Sequence, residues 1–421
     1  MKKRIGLVSQ RNNNIPFVFE AASRLGVELI DIVAKGEAPQ PAFPALVDRL
    51  ELDFFDNPDG ALADLKTWVS QGNQLDGIMT SREEAIVWTA KAAQSLNLPG
   101  LPVDAACAAR DKSEMRRRLA AGKCNVPAFL DYRGPQDQAA LDALPYPYVV
   151  KPKSAFGSAG VTLVSNDQER DVAMSHVAAM SRQQFGRYAP SQSHDGVLLE
   201  GFLDGAEYVA ECFAVDGKQH VVSLGYKGNP RGPYFEETVY LAPTQLPQAV
   251  QDTLVEEAAK GMAALGIDNG PGHCEMRLVD GVPYILEIGA RVGGSGSCHY
   301  VVEESTGFDL FGAQMRLSLG ETLSDVPERP KPIRFASNYI IPLSGSGRLE
   351  EVVGLEDVQN HPECQRLLRF IPNGSEIKPY PDFSGFIGFI FGTHATYEAG
   401  LAQFEWLDKV IHPIWAQDKV G

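Results

Sequence analysis

Residues 272–291 read GHCEMRLVDGVPYILEIGAR, and this stretch decides the fold. Two strand-like runs flank Asp280-Gly281, a dipeptide that is typical of hairpin turns. Side chains alternate between the faces of a strand, so the length of the connection decides whether Glu275 and Glu287 share a face. A two-residue turn would separate them, whereas a three-residue loop with Gly281 in the left-handed conformation would bring them together.

Two carboxylates on one face of a hairpin can hold Mg²⁺, which prefers oxygen ligands and substrate phosphates. A solvated acidic face is the more common meaning of such a pair. Here Glu287 lies in an otherwise apolar run, and a stretch rich in glycine and serine follows Arg291 and leaves open space. The stretch therefore predicts a metal site, with Arg291 placed to meet negative charge on a phosphoryl or acyl oxygen.

A second segment, residues 148–161 (YVVKPKSAFGSAGV), predicts a phosphate-binding loop. A β-rich run ends at Lys151 and opens into a loop of small residues, where backbone N–H groups can approach phosphate oxygens closely. Lysine adds a point charge. The alternative is a glycine-rich hairpin with two solvated lysines, and the spacing is not that of a Walker A loop.

A third segment, residues 198–211 (LLEGFLDGAEYVAE), is a strand that passes through a glycine-containing link into a second strand. An adenine lying against the link would use its backbone N–H and C=O groups, and Glu207 would hold the ribose hydroxyls. The alternative is a plain connection between two strands with exposed acids.

The composition restricts the partners. The chain has 421 residues and a net charge of −16, and such an acidic surface repels nucleic acid and anionic membranes, so neither is expected as a partner. Six cysteines without a C-x-x-C pair favour a reduced, cytoplasmic protein over a disulfide framework or a zinc site. No signal peptide and no membrane-spanning segment is expected.

Taken in order, the segments resemble the ATP-grasp superfamily. The resemblance covers about residues 75–315 and rests on these short patterns: Asp111-Lys112, Val150-Lys151-Pro152, the Gly157–Gly160 loop, Glu200 with Glu207, Glu275 with Glu287, and Arg291. It implies an ATP-dependent ligase that joins a carboxylate to an amine through an acyl phosphate and releases ADP and phosphate. The size, the N-terminal domain and the segment around Glu236-Glu237-Thr238 are most similar to L-amino-acid ligases, which make dipeptides.

The resemblance also implies roles for single residues. Lys112 and Lys151 look like the two lysines that hold the nucleotide phosphates during catalysis, and Arg291 looks like the residue that steadies the acyl phosphate. Glu275 and Glu287 look like the Mg²⁺ ligands. The further positions that it assigns to ATP are Lys153, Ser154, Gly157, Ser158, Ala159, Gly160, Glu200, Gly201, Phe202, Leu203 and Glu207. The positions that it places near the substrates are Glu237, His273, Arg291, Gly293, Gly294 and Ser295.

The expected cofactors are ATP and one or two Mg²⁺ ions, for which Mn²⁺ can substitute. The expected substrates are a small-molecule carboxylate and an amine, with amino acids favoured. The family usually has Glu-x-Asn-x-Arg at its second metal acid, but Gly289 stands in the Asn position and has no side-chain oxygen. One metal contact is therefore lost, or comes from water or another residue. Lys227 lies just upstream of Glu237. A solvated loop lysine is at least as good an interpretation of it as a lysine near the substrate or metal.

The predicted fold class is α/β, with α+β architecture in the ATP-grasp part. Residues 4–9, 15–25 and 27–33 alternate strand, helix and strand, and no G-x-G-x-x-G follows the first strand. We predict a Rossmann-like pre-ATP-grasp domain over 1–103 and an ATP-grasp domain over 104–320, with a mobile lid subdomain at about 140–205. A C-terminal α+β subdomain follows over 321–421, and residues 104–121 are expected to be helical.

Two alternatives stay open. One is a biotin-carboxylase-like ATP-grasp enzyme, which would turn over ATP with bicarbonate, and the other is a module that binds ATP without turnover. His273 and His299 are candidates for the base that deprotonates the amine, although a structural histidine is the more common outcome. The oligomeric state is open, with a homodimer among the options.

Overall fold

The fold is known from a computed structural model, which describes residues 2–9, 15–185, 196–229, 232–343, 345–382 and 385–416. It is a mixed α/β fold with one parallel sheet and three sheets that contain antiparallel strands, as the sequence predicts. Among these residues no helix combines the length and the apolar character that crossing a bilayer requires.

The N-terminal part is a parallel sheet of order β3-β2-β1-β4 with helices packed on it. Its elements are β1 (Arg4–Val8), α1 (Phe17–Leu25), β2 (Glu28–Ala34), β3 (Leu46–Leu52), α2 (Pro58–Ser70), β4 (Gly77–Met79) and α3 (Ile86–Ser95). Helix α1 ends at Gly26, whose φ of +67° is the left-handed conformation that glycine adopts without strain. The predicted strand, helix and strand are confirmed.

Two helices follow, α4 (Val103–Arg110) and α5 (Lys112–Ala121), where the sequence suggested one helical stretch. The break is at Asp111, which has extended backbone angles and caps α5. Its carboxylate accepts the N–H groups of Ser113 and Glu114 at 2.9 and 3.1 Å. The cap fixes Lys112 in the first turn of α5, and the Lys112 N–H donates to the carbonyl of Lys153 at 2.9 Å.

A small antiparallel sheet of order β5-β8-β6-β7 comes next. Its elements are β5 (Phe129–Tyr132), α6 (Gln138–Asp142), β6 (Tyr148–Lys151), β7 (Thr162–Val164), α7 (Asp167–Met180) and β8 (Val197–Gly201). One face is covered by α7, and buried side chains such as Tyr148, Val150 and Val177 form its core.

A large sheet of order β13-β12-β9-β10-β11-β14-β18-β16 forms the rest, with β15 pairing β17 and β19 at its side. The first strands and helices of this part are β9 (Ala206–Val215), β10 (Lys218–Gly228), β11 (Val239–Ala242), α8 (Gln248–Ala264), β12 (Gly270–Val279), β13 (Val282–Gly289), α9 (Cys298–Thr306) and α10 (Leu310–Ser318). The remaining ones are β14 (Phe335–Ile340), β15 (Gly347–Val353), α11 (Leu355–Asn360), β16 (Cys364–Arg369), β17 (Glu376–Ile377), β18 (Gly388–His394), α12 (Tyr397–Val410) and β19 (His412–Trp415). The large sheet takes strands from both sides of residue 320, and the domain limits stay predictions.

The hairpin of β12 and β13 has the two-residue turn, the one of the two possible turns that would by itself put Glu275 and Glu287 on opposite faces. Asp280 and Gly281 both have positive φ, +50° and +78°, and Val279 pairs with Val282. A register shift then makes Met276 face Ile285 while Glu275 faces Glu287, so Leu286 is an extra residue. This bulge restores the parity that the short turn removed, and the two glutamates lie directly opposite each other.

Candidate active site

A cleft between the small and the large sheet collects most of the residues that the sequence singled out. The following of them line it: Lys112, Lys151, Gly157, Ser158, Ala159, Glu200, Gly201, Phe202, Leu203, Glu207, Glu237, His273, Glu275, Glu287 and Arg291. Six predicted residues are not in the lining: Lys153, Ser154, Gly160, Gly293, Gly294 and Ser295. The geometry therefore brings together lysine, carboxylate and guanidinium groups from segments that are far apart in the chain.

The two opposed glutamates each contact a lysine. Glu287 Oε1 accepts a hydrogen bond from Lys112 Nζ at 2.7 Å, and Glu275 Oε1 accepts one from Lys227 Nζ. Burial would raise the pKa of Glu275, but Lys227 and His273 outweigh it and hold that pKa well below the usual range. Two carboxylates on neighbouring strands, open to one cleft, are a donor set that fits Mg²⁺.

Lys151 extends from the end of β6 into an ion pair with Glu200, 2.7 Å away, on the neighbouring strand β8. Glu200 also binds the buried Arg116 of α5, whose Nη2 lies 3.1 Å from Oε2. Burial lowers the pKa of Lys151 to about 8, helped by Arg116 and Lys112 and opposed by Glu200. The Glu200 carboxylate therefore holds Lys151 in place, and its assignment to ATP stays a prediction.

The loop after β6 is folded against the cleft and against the C-terminal part. Gly157, Ser158 and Gly160 have φ of +62°, +56° and +75°. The carbonyl of Ala155 accepts from Lys112 Nζ at 2.7 Å, and the Gly160 N–H donates to the carbonyl of Pro381 at 2.8 Å. The loop thus brings backbone groups beside the lysine that faces Glu287.

Three residues of the predicted phosphate-binding loop do not line the cleft and have other contacts. Lys153 is buried with Nζ 2.5 Å from Asp131 of β5, and the carbonyl of Ser154 accepts from Arg110 Nη2 at 2.7 Å. A Cβ at Gly160 would come within 2.7 Å of Pro152, so close packing explains this glycine. These residues shape the loop from behind.

The link after β8 forms the aromatic end of the cleft. The Arg277 guanidinium lies 5.5 Å from the ring centre of Phe202 and 4.9 Å from that of Phe235. Its Nη1 donates to the carbonyl of Leu203 at 2.9 Å. The N–H groups of Gly201 and Phe202 donate to the carbonyls of Ala128 and Pro147, and the adenine contact at this link stays a prediction.

His273 lies at the opposite end of the cleft, between two carboxylates. Its Nδ1 is 2.8 Å from Glu211 and its Nε2 is 3.1 Å from Glu275. Burial would lower the pKa of His273, but Glu211 and the neighbouring Cys298 outweigh it and raise that pKa well above its ordinary value. A Cβ at Gly293 would come within 2.2 Å of His273 Nδ1, so this glycine makes room for the ring.

The other substrate candidates lie in two places. Glu237 lines the cleft, whereas the carbonyl of Ser295 accepts a hydrogen bond from Ser81 Oγ at 3.2 Å. A Cβ at Gly294 would come within 2.1 Å of Ser297 Oγ. His299 is buried, its Nε2 lies 3.1 Å from Glu303, and it does not line the cleft. This is the position of a structural histidine.

Arg291 is held by Glu83, a residue of the N-terminal part that the sequence did not single out. Arg291 Nε donates to Glu83 Oε2, and Arg110 Nη1 donates to Glu83 Oε1 at 3.0 Å. Burial would raise the pKa of Glu83, but Arg291 and Arg110 outweigh it and lower that pKa to about 2. The carboxylate is therefore ionised at any assay pH and directs Arg291 into the cleft.

Gly289 lies against this ion pair. A Cβ at 289 would be 3.3 Å from Glu83 Oε2, a tight approach, and 3.5 Å from Arg291 Cζ, an ordinary van der Waals contact. The glycine that departs from the family pattern is thus matched to the Glu83–Arg291 pair.

Three residues that complete the site were missed or undervalued: Glu83, Arg116 and Lys227. Lys227 is buried in the cleft, so its interpretation as a solvated loop lysine is wrong. Glu83 had a usable signal, since Arg82-Glu83-Glu84 follows a strand of the parallel sheet, at the edge where sites collect. Arg116 had one too, because a charged residue on the apolar face of a helix needs a partner.

Comparison with known proteins identifies the same superfamily that the sequence resembles. The ATP-grasp domain family matches residues 144–299, and the ATP-grasp N-terminal domain family matches residues 19–100. The L-amino acid ligase of Bacillus licheniformis, in a crystal structure, is 37% identical with a TM-score of 0.90, and the alignment covers 99% of both chains.

Two curated relatives match over part of their length. The alanine–anticapsin ligase of Bacillus subtilis is 30% identical over 242 residues, which are 52% of this chain and 49% of that protein. Carnosine synthase 1 of Gallus gallus is 29% identical over 296 residues, 66% of this chain and 31% of that protein. The fold, the cleft and these similarities together show that the chain belongs to the ATP-grasp superfamily, as a ligase similar to L-amino acid ligases.

Proposed function

We propose that this protein joins two amino acids in a peptide bond, with ATP and Mg²⁺, through an acyl phosphate and with release of ADP and phosphate. One observation carries the proposal: Glu275 and Glu287 face each other in the same cleft as Lys112, Lys151 and Arg291. Phosphoryl transfer needs mainly positioning and charge neutralisation, and this set offers both. The similarity to L-amino acid ligases supports amino acids as substrates.

In this proposal Glu275 and Glu287 would hold Mg²⁺, which supplies positive charge to phosphate oxygens. Lys151 at the end of β6 and Lys112 at the start of α5 meet the phosphates, and the loop after β6 excludes water from the acyl phosphate. Arg291, aimed by Glu83, meets the oxygen on which negative charge develops when the amine attacks.

The contacts of the two candidate histidines argue against a role for either as the base that deprotonates the amine. Both ring nitrogens of His273 face carboxylates and its pKa is raised, so it is a charged group beside the substrate and not a proton acceptor. His299 lies outside the cleft lining. Neither histidine is therefore part of the proposed proton transfer.

The proposal is tested by phosphate release with single amino acids and with pairs, followed by mass analysis of the products. We expect ADP and phosphate that depend on an added amino acid, with a dipeptide as the second product. AMP with pyrophosphate would overturn it, turnover that requires bicarbonate alone would favour a carboxylase, and ATP binding without turnover on any pair would favour a binding module.

Lys151 gives the proposal a pH signature. Its pKa of about 8 means that it is an ammonium below that pH and a neutral amine above it, so its attraction for phosphate is lost as pH rises through about 8. We expect kcat/KM for ATP to fall above pH 8. An arginine keeps its charge at all these pH values. In a Lys151→Arg variant, kcat/KM for ATP is therefore expected to stay constant up to pH 9.5. The same fall in both proteins would contradict the assignment.

A further inference from the structure

Lys227 is the extra residue of a β-bulge in β10. Tyr226 faces Tyr208 of β9 and Gly228 faces Glu207, so Lys227 has no opposite residue in this register. Gly228 follows with φ of +99°, which only glycine adopts readily. Bulges redirect side chains, and this one turns Lys227 into the cleft.

The Lys227 ammonium lies among three carboxylates. It contacts Glu275 Oε1, its Nζ is 3.6 Å from Glu207, and Glu237 adds negative charge nearby. Only 9% of its side chain is exposed. A surface lysine has no reason to be turned inward by a bulge, so the position calls for a role in the cleft.

The contact with Glu275 competes with metal binding. A divalent ion on the Glu275 oxygens would stand close to the ammonium, and two cations so near each other repel strongly in a buried site. Glu287 is paired with Lys112 in the same way, so both proposed metal ligands are neutralised by lysines before any metal arrives.

We propose that Lys227 is a resident cation of the metal site. Its ammonium holds the Glu275 carboxylate until a divalent ion replaces it, and then moves to an anionic group of the bound substrates. This inference rests on the proposed function, because it takes Glu275 as a metal ligand. It makes metal binding weak without nucleotide and strong with it, since the nucleotide phosphates offer Lys227 a new partner.

The test is Mn²⁺ binding followed by electron paramagnetic resonance, with and without ADP, in the full-length protein and a Lys227→Met variant. Without ADP, we expect the variant to bind Mn²⁺ at least about tenfold more tightly, because no ammonium has to be displaced. The factor by which ADP strengthens Mn²⁺ binding is expected to shrink accordingly. A purely structural lysine would leave both quantities unchanged.

Controls separate charge from fold. Lys227→Arg keeps the charge and is expected to bind Mn²⁺ as weakly as wild type without ADP, and Lys227→Gln repeats the test if methionine disturbs folding. Lys260→Met removes a lysine on α8 that lies 2.6 Å from the buried Glu257, outside the cleft lining. This variant is expected to bind Mn²⁺ as wild type does, with and without ADP.

Two results would overturn the inference. The first is that Lys227→Met and Lys227→Gln bind Mn²⁺ without nucleotide as weakly as wild type, while binding in the presence of ADP is normal. It would overturn the proposal that Lys227 is a resident cation and leave the proposed function intact. Absence of Mn²⁺ binding even with ADP overturns the metal assignment of the proposed function and the inference with it.

Discussion

A Glu287→Gln variant is expected to lose turnover by roughly 10²–10³-fold or more in kcat, the scale for removing one group that stabilises transition-state charge. The amide keeps the size of the side chain but not the negative charge that would hold Mg²⁺, and it leaves Lys112 without the ion pair seen at 2.7 Å. Steady-state ADP formation over a range of Mg²⁺ concentrations measures the loss. Because Glu287 is partly exposed, we expect the melting temperature to change little.

The matched control is Glu28→Gln. Glu28 is also a strand carboxylate in an ion pair, 2.9 Å from Arg4, and its side chain is 22% exposed against 24% for Glu287. It is far from the cleft, so kcat is expected to stay at the wild-type value. Wild-type turnover in Glu287→Gln would refute the metal assignment.

A Glu83→Gln variant is expected to reduce both stability and catalysis. Removing one partner of a buried ion pair costs about 3–5 kcal/mol, because the other charge is left uncompensated. Glu83 compensates two arginines, Arg291 and Arg110, and is 3% exposed. A displaced Arg291 is further expected to lower kcat by about 100-fold, the scale of a small misplacement of a positioned group.

Glu84→Gln separates these two effects. Glu84 lies in the same turn, is buried, and pairs with Arg82 at 3.1 Å, whereas the ion pair of Arg291 is with Glu83. Denaturant unfolding is expected to show a loss of stability in both variants. Only Glu83→Gln is expected to lower kcat measured well below its melting temperature, and an equal loss in Glu84→Gln would show that the effect is merely structural.

Local patterns predicted the elements well. Buried runs and a left-handed glycine were enough for β1, α1 and β2, and an Asp-Gly turn was enough for the hairpin of β12 and β13. Of the predicted charged residues, Lys112, Lys151, Glu275, Glu287 and Arg291 share one cleft, whereas Lys153 does not line it. The order of the segments, and not any single motif, carried this prediction.

Irregularities in the strands could not be read from the sequence. A bulge at Leu286 puts Glu275 opposite Glu287 despite the short turn, and a bulge at Lys227 turns that lysine inward. Alternation of apolar and polar residues assumes an unbroken period of two, so one inserted residue reverses the prediction for everything beyond it. The turn length alone, which the sequence left open, would therefore not have settled which way the two glutamates face.

Contacts between distant segments were also hidden. Glu83 and Arg291 are 208 residues apart, and nothing local in either segment indicates the other. The helix break at Asp111 could not be predicted for a different reason. The capping contacts of Asp111 are local, but in the sequence it looks like any acidic residue of a helical stretch until its backbone angles are known.

The most direct test of carboxylate activation follows an oxygen atom. An amino acid substrate labelled with ¹⁸O in its carboxylate is incubated with ATP, Mg²⁺ and an amine acceptor, and the released phosphate is analysed by mass. The carboxylate oxygen that attacks the γ-phosphorus leaves with the phosphate when the amine displaces it, so the phosphate is predicted to carry one ¹⁸O. Unlabelled phosphate, or label found in AMP, would contradict the account.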